Sequence, residues 1–394
     1  MSKYFPESIE FVNQALMGRA APGGGSWVQE FESQFAQKVG SKYAVSMNSG
    51  TSALHAGLAS LGVGPGDEVI SSAVTVIMNS FATLYLGATP VFADVNPNSW
   101  NLDPADVRKK ITDRTKAIIV VGWFGLPVDM EPFLEIERET GIPILDDAAE
   151  SLGSVDHNGN RSGSTATVGI FSFEEKKHMT TGGEGGMLVT NDATIAEKSR
   201  KFAGIGYRHL TAELGRTSLN AEIFQNPYYE RFSEIGFNYR MTPIAAALGM
   251  GQLKNLDEII QKRQFAAECI LNAVKDCDWI TPQVSPVGTI NSYYTVGLRF
   301  DGEKKKGISW VSFYKRFREL GGDGFYGNCL NPFLEPVFSS DSSLIDIAGL
   351  ARSACPIAVE LQPHIMAFKT NYRDTKDAER QGHRLSQLIY EISQ

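Results

Sequence analysis

The chain has 394 residues, of which 42% are hydrophobic and 21% charged, and its net charge is −8. This length allows two domains, or one large α/β domain with a smaller appendage. Nucleic-acid binding is not expected, because neutralising phosphates requires clustered Lys and Arg, and the chain has no basic block. The N-terminal MSKYFPESIEFVNQALMG lacks the apolar core of a signal peptide, and no apolar run has the length of a membrane span. We therefore expect no membrane partner.

The cysteines indicate neither a metal site nor a disulfide framework. They are Cys269, Cys277, Cys329 and Cys355, with no CxxC pair and no adjoining histidine cluster. Scattered thiols are typical of proteins of the reducing cytosol, so we expect a cytoplasmic location and no bound metal.

The first two thirds of the chain alternate short apolar runs with amphipathic stretches. Helical spacing that ends in glycine predicts helices over 51–62 and 128–141. The predicted strands are 67–74, 89–95, 116–124, 142–150, 167–173 and 185–192. This alternation indicates an α/β fold, with a mainly parallel sheet between helices on both faces. Ligands in such folds bind at the carboxyl ends of the strands.

The last third of the chain has a different pattern. The elements predicted there are one long amphipathic helix over 248–276, a strand over 292–300, and helices over 309–321 and 376–393. This pattern indicates a smaller α+β domain. We therefore expect a large cofactor-binding domain over residues 1–248 and a small C-terminal domain over residues 249–394.

The segment SMNSGTSALHAGL, residues 46–58, contains a strand end, a tight turn and the start of a helix. Gly50, Thr51 and Ser52 would place free backbone N–H groups and hydroxyls at a helix N-terminus, an arrangement that binds phosphate well. SGTS is also an ordinary capping sequence, so this motif alone does not separate the two interpretations.

The segment LDDAAE, residues 145–150, places Asp147 at the end of an apolar strand. A carboxylate in such surroundings needs a cationic partner, and a protonated pyridine nitrogen would serve. A carboxylate there keeps the ring protonated and makes it an electron sink. A surface Asp at a helix N-cap is the alternative.

Lys176 and Lys177 follow the predicted strand that ends in FSF. A lysine becomes a Schiff-base nucleophile when its ammonium is partly desolvated or lies near another cation, although most lysines are simply solvated. A phosphate cradle, a strand-end Asp147 and Ser172 five residues before Lys177 occur in this order. That combination favours a covalent role for Lys177.

Longer motifs surround these residues. They are GSWVQEFESQFAQKVGSKYAVSMNSGTSAL, LYLGATPVFADV, GLPVDM, LDDAAESLG, FSFEEKKHMTTGGEGGMLVTND and GFNYRMTPIAAALG. Together they resemble the DegT/DnrJ/EryC1/StrS sugar aminotransferase family over nearly the whole chain, and the last four in this order are highly specific. The resemblance implies a fold-type I structure, with a mainly parallel seven-stranded sheet flanked by helices and a smaller C-terminal α+β domain. It also implies pyridoxal 5'-phosphate as cofactor and a homodimer with shared active sites.

The resemblance assigns roles to individual positions. Lys177 aligns with the lysine that holds the cofactor as a Schiff base and then moves the proton, whereas Lys176 falls on a variable position. Asp147 matches the aspartate that pairs with the pyridine nitrogen. The other matches are Thr51, Ser52 and Ser172 as phosphate ligands, Glu150 near the cofactor's 3-oxygen, and Asn238 at the phosphate of the other subunit's cofactor.

Three departures from the family pattern stand out. The chain reads TTGGEGG where members usually read TTGEGG, which places an extra glycine in the loop after Lys177. Val76 occupies the position of the aromatic that stacks on the pyridine ring, and it can cover the ring by dispersion without π-stacking. Gly122 replaces a histidine common in the family.

The expected reaction is a transamination from glutamate to a carbonyl sugar. A finer resemblance, in EEKKHMTTGGEGG and the segment between Gly206 and Gly236, is to enzymes that aminate the terminal aldehyde of a free eight-carbon keto-acid sugar. Most relatives act on nucleotide-linked keto sugars instead. The segment 207–232 carries Arg208, His209, Arg216 and Arg231, and an arginine there could clamp a sugar carboxylate. The alternative is that these arginines hold a dimer interface.

Two other functions compete with a transamination. Sugar dehydratases of the same fold carry histidine where this chain has Lys177, so the lysine argues against that reaction, although His178 is adjacent. A non-catalytic cofactor-binding regulator is the other rival. An intact set of Lys177, Asp147 and Ser172 argues against it.

Overall fold

A computed structural model describes residues 4–215, 219–341 and 344–394. The strands are β1 Tyr43–Met47, β2 Glu68–Ser72, β3 Thr89–Ala93, β4 Thr115–Val121, β5 Ile144–Asp147, β6 Val168–Ser172, β7 Gly186–Thr190, β8 Ile280–Pro282, β9 Thr295–Phe300, β10 Tyr326–Gly327 and β11 Ile365–Lys369. The helices of the first part are α1 Pro6–Leu16, α2 Trp27–Val39, α3 Gly50–Ser60, α4 Met78–Tyr85, α5 Pro104–Lys110, α6 Glu131–Thr140, α7 Ala193–Ala203 and α8 Ala221–Phe224. Those of the second part are α9 Pro243–Lys254, α10 Leu256–Val274, α11 Gly302–Lys306, α12 Trp310–Glu319, α13 Pro336–Ser340, α14 Ile345–Ala354, α15 Pro356–Leu361 and α16 Thr375–Ser393.

The larger sheet has seven strands in the order β1-β7-β6-β5-β4-β2-β3. Only β7 runs antiparallel to its neighbours, β1 and β6, while the other pairs are parallel. Successive residues of β4 enter different hydrophobic clusters, with Ile119 and Val121 in one and Ile118 and Val120 in another. Since side chains alternate along a strand, both faces of the sheet are buried. The predicted mainly parallel seven-stranded sheet between helices is confirmed.

The sheet topology gathers the candidate residues at one edge. Strands β5 and β6 are parallel neighbours, and they end at Asp147 and Ser172. Strand β1 is antiparallel to β7, which is antiparallel to β6, so β1 runs in the same direction as β6. The turn from β1 into α3, with Gly50 at its start, therefore lies at the same edge as the ends of β5 and β6.

The second sheet is antiparallel, in the order β10-β11-β9-β8. Its core includes Trp279 and Phe313, and α10 packs along α16. Strand β9 was predicted, but β11 and the short β8 and β10 were not. Part of the C-terminal region packs on the first sheet, where Phe333 contacts Phe92 of β3 with ring centroids 5.2 Å apart. The division at residue 248 stays a prediction.

The predicted single helix over 248–276 is wrong, because two helices, α9 and α10, occupy this region. They meet at Asn255, whose φ of −105° and ψ of 11° leave the helical range. The Asn255 side chain donates to Gly251 O at 2.9 Å and satisfies a carbonyl at the end of α9. Helix α9 also begins earlier than predicted, at Pro243, where Thr242 Oγ1 accepts from Ala245 N.

Candidate active site

The start of α3 forms a compact polar cradle. Ser49 caps the helix and accepts from Ser52 N at 3.0 Å, and Ser52 Oγ donates to Asn48 Oδ1 at 2.7 Å. Ser172 lies directly beside Gly50: a Cβ on Gly50 would come within 2.9 Å of Ser172 Cβ. Only glycine allows this approach, so the end of β6 meets the helix N-terminus. SGTS is therefore a capping sequence that also assembles an anion-binding arrangement with Ser172.

Asp146 and Asp147 are both buried at the end of β5. Asp146 Oδ2 accepts from Gly163 N at 2.6 Å, and burial raises the pKa of Asp146 to about 7. Asp147 Oδ1 accepts from Ala149 N at 3.2 Å, and burial raises the pKa of Asp147 to about 6, although Lys177 and the Ala149 amide oppose this rise. A cationic partner would stabilise the ionised form of a carboxyl buried as Asp147 is.

Lys177 extends toward the end of β5. Its Nζ lies 3.1 Å from Glu150 Oε1, and the other carboxylate oxygen of Glu150 accepts from Phe124 N at 3.1 Å. The same Nζ lies 4.3 Å from the ring centroid of Tyr294. Burial disfavours the ammonium, but the negative charge of Glu150, with Tyr294 and Asp147, outweighs it and raises the pKa of Lys177.

The neighbours of Lys177 have different environments. Lys176 is exposed, and its backbone N–H donates to Glu174 Oε2. His178 is buried, with Nε2 3.2 Å from Ser292 O, and burial lowers its pKa well below the usual value. Of the three consecutive residues, only Lys177 places its side chain against Glu150.

Sequence reasoning missed two residues of this site, Tyr294 and Arg263. Tyr294 follows a loop more than one hundred residues after Lys177, and no local pattern marks it. Arg263 donates to Lys176 O and Lys177 O at 2.8 and 2.9 Å. A sequence signal for Arg263 existed: it interrupts the apolar face of α10, whose other buried residues include Leu256, Ile260, Ala267, Ile270 and Val274.

The three departures from the family pattern have a clear structural setting. Val76 is half-buried and packs against a buried hydrophobic cluster. A Cβ at Gly122 would lie 2.4 Å from Ser151 Oγ and 2.7 Å from Ser151 Cβ, so Ser151 fills the space that a side chain would need. Gly182 and Gly183 have φ of 103° and 121°, which permits the tight loop of TTGGEGG.

Some candidates lie away from this cluster. Asn238 is exposed, and its side chain makes no hydrogen bond to the other candidates within the described part of the chain. Arg208 is exposed and pairs with Glu230 at 2.6 Å. His209 and Arg231 belong to the same segment, and Arg216 lies outside the described residues.

The assembled residues fit pyridoxal phosphate. The glycine-dependent cradle of α3 and Ser172 suits a phosphate, and the buried Asp147 suits a protonated ring nitrogen. Lys177 would supply the amine. Across the described ranges, no group of three or more His, Cys, Asp or Glu could hold a metal ion, and no helix is long and apolar enough to cross a membrane.

Among curated proteins, the chain is 42% identical to the GDP-perosamine synthase of Caulobacter vibrioides over 240 residues, which cover 61% of this chain and 60% of that protein. It is 36% identical to the GDP-perosamine synthase of Escherichia coli O157:H7 over 259 residues, 66% of each protein. The match thus spans about 60–66% of the length of these relatives.

Among solved structures, an aminotransferase from Psychrobacter cryohalolentis superposes with a TM-score of 0.87 at 26% identity and covers 100% of both chains. Pyridoxal phosphate, or its amine form, is the cofactor of the family. The model of the DegT/DnrJ/EryC1/StrS aminotransferase family matches residues 5–326. This match spans more than half of the 394 residues and agrees with both relatives and the fold, so the chain belongs to the DegT/DnrJ/EryC1/StrS aminotransferase family.

Proposed function

We propose that this protein is a pyridoxal-phosphate-dependent aminotransferase that moves an amino group from glutamate to a carbonyl sugar. The observation that carries the proposal is the position of Lys177 Nζ, 3.1 Å from Glu150 and at the strand ends where Asp147 is buried. Family membership supports the reaction class. The amino donor and the sugar are the parts that need experiment.

Several residues would hold the cofactor. Gly50, Thr51, Ser52 and Ser172 would bind its phosphate, because helix N–H groups and hydroxyls favour an anion there. Val76 would cover one face of the ring. Asp147 would pair with the ring nitrogen. When bound, pyridoxal phosphate carries the amino group between donor and acceptor and stabilises negative charge on the reacting carbon.

Lys177 supplies the proton transfer. Its Nζ would take the α-proton of the donor and return it to a neighbouring carbon, which requires the neutral amine. Glu150 and Tyr294 would hold Nζ in place while the amine is free of the cofactor, and being held near the reacting atoms gives the amine a high effective concentration. Asp147, ionised by its cationic partner, would keep the ring nitrogen protonated.

The site geometry supports an aminotransferase over a dehydratase. The dehydratases of this fold use a histidine at the position of Lys177. Here His178 is directed to Ser292 O and is neutral, whereas Lys177 reaches Glu150. The adjacent histidine therefore does not occupy the position of the reacting amine.

For the sugar, we favour a nucleotide-linked keto sugar over 8-oxo-3-deoxy-manno-octulosonate. Two curated relatives are GDP-perosamine synthases, which supports a nucleotide-linked acceptor. The octulosonate acceptor, which would give 8-amino-3,8-dideoxy-octulosonate for lipopolysaccharide, was the expectation from sequence. That expectation rested on the resemblance of EEKKHMTTGGEGG and of the segment between Gly206 and Gly236. A carboxylate clamp in the segment 207–232 was modest further support, and Arg208 there is exposed and already paired with Glu230.

A homodimer in the cytoplasm is part of the proposal. Asn238 is exposed and follows an apolar surface formed by Tyr228, Phe232, Ile235 and Phe237, which are 90, 54, 91 and 41% exposed. Several exposed apolar side chains in one segment are typical of an interface, and we propose that a second copy covers them and places Asn238 against its partner's site. Sedimentation velocity at micromolar protein checks the dimer.

The function is tested by absorbance spectroscopy of the protein with pyridoxal phosphate. Glutamate should bleach the band of the lysine-bound cofactor, and the correct acceptor should restore it. GDP-linked keto sugars and the free octulosonate aldehyde are offered in parallel. Recovery with the octulosonate alone would reverse our choice of acceptor, and a band that glutamate leaves unchanged would contradict the amino donor.

A further inference from the structure

Arg263 is a buried cation at the back of the site. It lies on α10, on the face that packs into the core, and only 4% of its surface is exposed. Burial lowers its pKa to about 10, although Tyr294 and Glu150 oppose the fall. Removing a guanidinium from water costs several kcal/mol, so its retention here requires compensating contacts. Among the described residues it forms no salt bridge within 4.0 Å. Its contacts are hydrogen bonds to neutral groups and the ring of Tyr294, whose centroid lies 5.8 Å from Arg263 Cζ.

The guanidinium makes four such bonds through its two terminal nitrogens. Nη2 donates to Lys176 O at 2.8 Å and to Lys177 O at 2.9 Å. Nη1 donates to Tyr294 O at 2.9 Å and to Thr370 Oγ1 at 2.9 Å. The acceptors come from three chain segments that are far apart in sequence. A planar guanidinium with donors in a fixed fork can join them, whereas a single ammonium cannot span both pairs.

These contacts fix two parts of the Lys177 environment at once. The carbonyls of Lys176 and Lys177 are the main chain that carries the reactive side chain. Tyr294 is the residue whose ring lies 4.3 Å from Lys177 Nζ. Thr370, fully buried, also bonds to the carbonyl oxygens of Tyr293 and Tyr294 at 2.7 and 2.9 Å. One planar guanidinium, that of Arg263, is thus bonded both to the main chain of Lys177 and to Tyr294, whose ring lies beside the Lys177 amine.

We infer that Arg263 is a positioning residue for Lys177, which holds the lysine main chain and the Tyr294 ring in register so that Nζ stays at Glu150. The inference rests on the proposed role of Lys177. Arg263 also connects Lys177 to the second sheet, because its partner Tyr294 precedes β9 and its partner Thr370 follows β11. A displacement of about 1 Å in a reacting group can cost about 100-fold in rate, so a loss of this clamp should affect kcat far more than KM.

The test compares Arg263→Lys with two controls. Arg263→Lys keeps the positive charge but cannot reproduce both pairs of hydrogen bonds. Arg299→Met removes a partly exposed arginine of β9 that pairs with Asp301 and Glu360, away from Lys177. Thr370→Val removes one partner of Arg263 with little change of shape. Each variant is measured by kcat and KM for glutamate, and by the rate at which trinitrobenzenesulfonate labels Lys177 in cofactor-free protein, followed by peptide mass spectrometry.

We expect Arg263→Lys to lower kcat by about 100-fold with a small change of KM. We also expect trinitrobenzenesulfonate to label Lys177 faster in this variant than in wild type. Thr370→Val should change both readouts in the same direction by less, and Arg299→Met should change neither. Labelling of Lys177 and kcat at wild-type levels in Arg263→Lys would overturn the inference. If that variant does not fold, Thr370→Val decides: unchanged labelling and kcat would overturn the inference in the same way.

The labelling readout keeps the two proposals separate. It uses protein without cofactor, so it reports the position of Lys177 whether or not the chain is an aminotransferase. Failure of the proposed function would show as wild-type protein that forms no lysine-bound cofactor band. Failure of the positioning role would show as a normal band and normal labelling in the Arg263 variant.

Discussion

Two regions of this protein carry charged candidate residues, and they differ in burial. At the sheet edge, Lys177 and Glu150 are 14 and 8% exposed at their side chains and lie 3.1 Å apart. In the segment 207–232, Arg208 and Glu230 are 47 and 80% exposed and lie 2.6 Å apart. The shorter distance belongs to the pair that water screens. Distance alone therefore does not indicate function, because a charge pair gains its effect from the loss of solvent around it.

The largest effect should come from the buried lysine. Lys177→Ala removes the amine that we propose binds the cofactor and moves the proton, so we expect turnover to fall by at least about 10⁴-fold and the lysine-bound absorbance band to be absent. Lys176→Ala is the matched control, since its side chain is exposed, and it should retain both. Steady-state assays with absorbance spectra measure this. Retained turnover in Lys177→Ala would refute the assignment.

The next largest effect separates the two neighbouring aspartates. Asp147→Asn removes the charge proposed to pair with the ring nitrogen, and breaking a buried pair costs about 3–5 kcal/mol. We therefore expect kcat/KM to fall by about two to four powers of ten. Asp146→Asn is the control, because Asp146 accepts from Gly163 N and should affect the free energy of unfolding instead. Equal kinetic losses in both variants would contradict the distinct role of Asp147.

A smaller effect should follow from Glu150→Gln, which keeps the shape and removes the charge beside Lys177. Since Glu150 raises the pKa of Lys177, its removal should lower the pH at which the cofactor-free lysine becomes reactive toward trinitrobenzenesulfonate. A lost hydrogen bond to a charged group costs about 1.5–3 kcal/mol, so kcat/KM should fall by roughly 10- to 150-fold. An unchanged labelling profile would show that Glu150 does not control the amine.

The smallest effect should come from substitution in the exposed ion pair of Arg208 and Glu230. Arg208→Ala removes a surface ion pair, which contributes about 0.2–1 kcal/mol at most. We expect the free energy of unfolding, measured in urea, and KM for the sugar to change little. Arg231→Ala tests the same segment at a second position. A large rise in KM for the sugar in either variant would support the carboxylate clamp, and with it the octulosonate acceptor.

Much of the fold could be predicted from the sequence because the strands of the larger sheet are apolar runs bounded by turns. The break at Asn255 could not, because apolar spacing continues through it and the bend depends on a side-chain bond to Gly251 O. Strands β8 and β10 were missed because they are only three and two residues long, and their strand character comes from pairing with β9 and β11.

The candidate site also contains residues that could be predicted from sequence and residues that could not. Asp147, Ser172 and Lys177 were found because each ends or follows a strand and carries a chemical signature in a short motif. Tyr294 and Arg263 reach Lys177 only through the tertiary fold. Arg263 could have been flagged as a cation on an apolar helix face, but three of its four acceptors are main-chain carbonyls, which no sequence pattern displays.

The close contact between Gly122 and Ser151 restricts the substitutions that this chain can accumulate. A histidine at position 122 would collide with Ser151 at its first side-chain atom. Ser151→Gly would relieve this collision, and without a larger residue at position 122 it would leave a small void. The side chains that positions 122 and 151 can accept are therefore coupled.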